Sequence, residues 1–108
     1  MMDKKELREQ YKNRIVIGGI YAIKNTVNGK IFLDSTTDLK GSRNRFEFFG
    51  SPNPKMTADW SAQKGEGFIF EVLEELQKSE TQTDKEFKDD LKLLLEIWAE
   101  KYSTQNLY

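Results

Sequence analysis

Neither histidine nor cysteine occurs in this chain, so the side chains available for chemistry reduce to tyrosine, lysine, arginine and the carboxylates. The commonest general base and transition-metal ligand is missing, as are the thiol nucleophile, the zinc knuckle and the disulfide framework, and nothing points to an oxidising compartment. What remains suits the handling of phosphate. Lys24, Lys30, Lys40, Arg43 and Arg45 follow one another closely, and such cations supply most of the nonspecific affinity for a nucleic-acid backbone. The formal charge of −1 hides a division: residues 1–45 carry ten Lys/Arg against five Asp/Glu, and residues 46–108 carry seven against thirteen. A basic half can meet phosphates, or it can simply be a set of solvated helix faces. Asp34, Asp38 and Glu47 stand among the basic residues and dilute their field. Tyr21 offers a hydroxyl that can bind a phosphate, although a half-buried strand tyrosine also serves as core.

These residues need elements to hold them. Asp3 to Lys12 reads as a short polar helix whose Leu7 and Tyr11 share one face. The run from Ile15 to Ile23 is rich in β-branched residues and alternates as a buried strand does. Asn28-Gly29 predicts a two-residue type I′ turn, followed by a returning strand from Lys30 to Ser35. Asp38 can cap a helix through Phe49 with Leu39, Phe46 and Phe49 near one stripe. Asn53-Pro54 starts another helix, reaching to about Lys64 and anchored by Trp60. Phe68, Phe70 and Val72 alternate as a third strand running to about Glu75, and Thr83 with Glu86 has capping-box spacing before the periodic run from Phe87 to Tyr102.

Length and composition suit a single domain. The expected division is an N-terminal helix over 1–14 and one α+β domain over 15–108. No apolar run approaches the roughly 20 residues that span a bilayer. The first residues lack the apolar stretch of a signal peptide, so a cytoplasmic protein with no membrane partner is expected.

Gly19-Ile20-Tyr21, the hairpin, an aromatic eleven positions after Tyr21 and the order of elements together resemble the GIY-YIG nuclease superfamily. The similarity is strongest from Gly19 to Phe46 and continues through the strand at Phe68 to Glu74 and a tryptophan-containing last helix. It implies a small three-stranded antiparallel sheet flanked by helices, here with the extra N-terminal helix. It also implies metal-dependent phosphodiester hydrolysis, in which a tyrosine helps to activate water, an arginine stabilises phosphate charge and a glutamate holds the metal.

Carried over residue by residue, that machinery is largely substituted. Tyr21 matches the first motif tyrosine. Phe32 stands at the second, Asp34 at the motif glycine, Ser42 at the arginine ten positions after Phe32, Phe46 at a histidine, and Leu95 at the metal-holding glutamate three positions before Trp98. Arg43 and Glu96 are the neighbours of the lost arginine and glutamate, but one helical position is about 100° of rotation. The leading expectation is a nuclease-like domain that has lost catalysis and serves as a binding or regulatory module. DNA is the first candidate partner, with Lys24, Lys30, Lys40, Arg43 and Arg45 as the contact residues and no cofactor expected. One alternative is an active endonuclease using Mg²⁺ or Mn²⁺, with Tyr21 and Arg43 catalytic and Glu96 on the metal. The other is a protein-interaction or self-association module presenting Phe48, Phe49 or Trp60.

Overall fold

The structure, a computed structural model, describes residues 15–51 and 53–108. The N-terminal helix expected over 1–14 lies outside the described residues. Within them the order is β1 (Ile17–Asn25), β2 (Ile31–Thr36), α1 (Leu39–Phe49), α2 (Pro54–Ala62), β3 (Phe68–Gln77) and α3 (Asp84–Lys101). The three strands form an antiparallel sheet in the order β2-β1-β3, as the motif resemblance implies. Among the described residues no helix is long and apolar enough to cross a membrane.

The central strand divides two packing layers. Tyr21 and Ile23 point to one face, where they meet Leu39 of α1, Met56 of α2 and the half-buried Phe32, Phe46, Phe68, Phe70 and Val72. Ile20 and Ala22 alternate to the other face and are fully buried there. That face carries α3, whose Phe87 and Leu91 are nearly inaccessible and whose Trp98 indole donates to Glu74 at 2.9 Å. The pairing partners skip Leu73, Ile20 lying against Glu74 and Tyr21 against Val72. An extra β3 residue at this point is a β-bulge, which shifts the phase of the strand and lets Val72 and Glu74 serve opposite layers.

Gly19 is required by a close approach, since a Cβ there would collide with the Glu74 carbonyl oxygen of the neighbouring strand. The first letter of the motif is thus a packing requirement of β1 against β3.

Local signals act as expected at three helix starts. Asp38 accepts from the Gly41 amide at 3.0 Å, Asn53 accepts from the Lys55 amide at 2.7 Å beside Pro54, and the Thr83–Glu86 capping box is complete.

Three expectations need correction. The hairpin does not close through a type I′ turn at Asn28-Gly29: the Asn25 amide donates to the Lys30 carbonyl and the Gly29 amide to the Asn25 carbonyl, so Thr26 to Gly29 form a four-residue loop. Gly29 alone takes a positive φ, +76°, while the Asn28 side chain bonds the Lys30 amide and Asp59. Phe49 does not join the α1 core stripe; it is 85% exposed because the helix ends there and the chain turns at Gly50, φ +82°. The buried anchor of α2 is Met56, 0% exposed, a burial worth about 1.5–3 kcal/mol. Trp60 instead packs between Phe68, at 4.7 Å, and Phe46, at 5.6 Å.

Candidate functional site

Tyr21 sits in the middle of the central strand, its ring stacked on Phe70 at 4.8 Å and edge-on to Phe32 at 6.2 Å. Its cross-strand partner on β2 is Asp34. Burial, and then the Asp34 carboxylate, push the phenol up to about 12 against the opposing pull of Arg45. At neutral pH the hydroxyl is therefore a committed hydrogen-bond donor and a poor base. Tyr21 is anchored as a core residue with its polar end beside a carboxylate.

A cleft of about 330 Å³ opens beside it, walled by Tyr21, Ser42, Arg45, Phe46, Phe49 and Phe70 among others. Ser42, at the position where the resemblance places an arginine, is buried and donates to the Thr36 hydroxyl at 2.7 Å. It also accepts from the Arg45 guanidinium at 3.0 Å. Ser42 and Arg45 are three residues apart, one turn on the same helix face, so Arg45 is the cation delivered to the cleft. Arg43, adjacent in sequence to Ser42, instead lies over the Phe70 ring at 5.5 Å. The signal that points to Arg45 was the i, i+3 spacing, which matters more here than adjacency to position 42.

Phe32 and Leu95 stand where the resemblance places the second motif tyrosine and the metal-holding glutamate, and both residues line one pocket of about 200 Å³ with Ile31, Leu33, Ala99, Leu107 and Tyr108. The fold thus brings these positions together across β2 and α3. Their chemistry does not suit a divalent cation, which takes oxygen ligands: one wall is an unsubstituted phenyl ring and the other an isobutyl group. Glu96, the neighbouring carboxylate, is exposed. Among the described residues no group of three carboxylates converges to hold a metal ion.

The five basic residues do not make one patch. Lys24 leaves β1 on the face opposite Tyr21 and pairs with Glu71 at 2.7 Å. Lys30 lies over the Tyr108 ring at 5.6 Å, and Lys40 is exposed on the first turn of α1. Arg43 and Arg45 alone accompany the aromatic face of the sheet.

Sequence reasoning missed a polar cluster at the end of β1. Asn25, 1% exposed, donates to Gln63 at 2.6 Å and to the Tyr108 hydroxyl at 2.9 Å, and its oxygen accepts from the Val27 amide at 3.0 Å. Tyr108 in turn donates to Asp59 at 2.8 Å. It is brought there by backbone pairing with β2, its amide donating to the Ile31 carbonyl at 2.9 Å. These bonds join residues as many as 83 positions apart, which no local pattern announces.

No protein-family profile matches the chain, and no curated protein is significantly similar to it. Two solved structures are. The catalytic domain of intron endonuclease I-TevI, as a point mutant, superposes with a TM-score of 0.61 at 24% identity, over 85% of this chain and 91% of that one. A second structure, of the catalytic domain of homing endonuclease I-TevI, gives a TM-score of 0.57 at 23% identity, over 84% and 95% of the respective chains. The sheet, its helices and the Gly19-Ile20-Tyr21 strand at its centre thus compose a GIY-YIG-like fold.

Proposed function

We propose that this domain binds DNA as a binding or regulatory module and has lost the nuclease chemistry of the fold it carries. The observation that supports the reading most directly is that Phe32 and Leu95, neither with an oxygen to offer, line one pocket. Hydrolysis of a phosphodiester needs oxygen donors for a cation and positive charge at the phosphate, and the residues at these positions supply neither. Ser42 has no charge to offer. Tyr21, raised to about 12, does not easily take a proton from water. Arg45 in the cleft wall and Arg43 over Phe70 supply positive charge for phosphate, which is what the proposed binding requires.

The test combines two assays. Supercoiled plasmid incubated with the protein and Mg²⁺ or Mn²⁺ should stay supercoiled, while a DNA-retention assay should show binding that weakens as salt rises. Metal-dependent nicking lost in Tyr21→Phe, Arg43→Ala and Glu96→Gln would establish an active endonuclease instead. Absence of both nicking and salt-sensitive retention would reject the DNA partner.

A further inference from the structure

We infer that the cleft beside Tyr21 accepts one unstacked base of single-stranded DNA, its face laid on Phe49 and its phosphate on Arg45. The inference rests on the DNA-binding reading above and specifies the form of DNA.

Phe49 is 85% exposed yet forms part of the cleft wall, so its ring borders an open volume of about 330 Å³ instead of being turned wholly into solvent. Arg45 lies four residues earlier on α1, and residues at i and i+4 are neighbours on a helix face. A cation and an aromatic ring thereby border one cleft from neighbouring positions of the same helix, the two kinds of group that a nucleotide's phosphate and base require. Single-strand binders combine these two parts, a cationic groove for the backbone and aromatic side chains on which bases stack. Ser42 uses one of the five guanidinium donors and fixes Arg45 at the cleft. Phe46 and Phe70 add apolar wall for the base, and the hydroxyls of Tyr21, Ser42 and Ser51 stand among the lining as polar groups for its edge.

Duplex DNA does not fit the same parts. Its bases are stacked on one another and present only edges in the grooves, so an exposed phenyl ring finds no base face to cover. Asp34 lies beside Tyr21, which lines the cleft, and its negative charge disfavours a phosphate near that residue, which leaves Arg45 as the phosphate contact.

Phe48 supplies an internal control. It is 81% exposed, similar to Phe49, but does not line the cleft. Binding of a fluorescent oligothymidylate and of a blunt duplex hairpin is measured by anisotropy at several salt concentrations, for the unmodified chain and for Phe49→Ala, Phe49→Tyr and Phe48→Ala. The expected result is preference for the single strand, about tenfold weaker binding for Phe49→Ala, retention in Phe49→Tyr and no change in Phe48→Ala. Equal affinity for both forms with no effect of Phe49→Ala would overturn the inference and leave the DNA-binding function standing. Equal losses from Phe48→Ala and Phe49→Ala would overturn it as a generic apolar effect. So would a concentration-dependent mass that disappears in Phe49→Ala, which would make the ring a contact between copies. No binding of either DNA would reject the inference together with the function it rests on.

Discussion

Asp34 stands directly opposite Tyr21 on the β1–β2 ladder, so the hydroxyl of the retained motif tyrosine has a carboxylate for its nearest charged neighbour on the strand. In an unfolded chain the phenol ionises near 10; in the fold it is raised to about 12, first by burial and then by Asp34. A group whose folded pKa is raised contributes stability that is complete below its unfolded value and is lost as pH climbs through the interval up to the folded value.

Denaturant unfolding between about pH 9 and 12 should therefore show stability falling through that interval. The fall should be shallower in Asp34→Asn and smaller still in Tyr21→Phe. An unchanged alkaline profile in Tyr21→Phe would mean that this phenol is not the group responsible.

Gly19→Ala should destabilise the domain by about 3 kcal/mol, at the upper end of overpacking effects, because the added carbon meets the backbone carbonyl of Glu74 and no rotamer change relieves it. The urea midpoint measures this. The isolated turn residue Gly29, whose missing Cβ would meet nothing within 4 Å, should lose less on substitution, the cost there being its positive φ alone.

Leu95→Glu should cost about 1–3 kcal/mol, since it sets a carboxylate against Phe32, Leu33 and Ala99 without a partner. Mn²⁺ should not restore the thermal midpoint in the single variant, because Phe32 still withholds the second oxygen. Calorimetry with and without metal decides this.

Asn25→Ala should cost about 2–3 kcal/mol by stranding Gln63, Tyr108 and the Val27 amide around a buried gap. Tyr108→Phe should be milder, and its effect should depend on acid. The Tyr108 and Asn28 bonds hold the Asp59 carboxyl below its usual range. A depressed carboxyl contributes above its unfolded value and loses that contribution as pH falls through the folded one. The difference between the unmodified chain and Tyr108→Phe should therefore shrink below about pH 4.

What could be read from the residues divides by range. The caps at Asp38, Asn53 and Thr83 are rules of a few residues, and they set the three helix starts as expected. Alternation in β1 and the periodicity of α3 follow from one buried face each. The hairpin was legible but its closure was not, because Asn28 prefers the company of Asp59, 31 positions away, to the backbone geometry of a tight turn. Tyr21 was legible as the site's remaining motif residue. That Arg45 and not Arg43 lines the cleft goes with its bond to Ser42, and that Phe32 and Leu95 border one pocket depends on how α3 lies against β2. Met56 outranks Trp60 because its flexible side chain fills the space under Tyr21 and Ile23, which composition alone does not reveal.

The additional residue at Leu73 leaves β3 written in two reading frames. Phe70 and Val72 keep one parity and Glu75 and Gln77 the same parity only after the skipped position has been counted out, although on paper the strand runs without interruption. A comparison with a strand that lacks the bulge exchanges inward residues for outward ones in one half unless a gap is set at Leu73. An unbulged strand that pairs well with Phe68 to Val72 falls out of phase from Glu74 onward, and the reverse. Shape registers the bulge directly and keeps the two faces in correspondence where the string of letters does not.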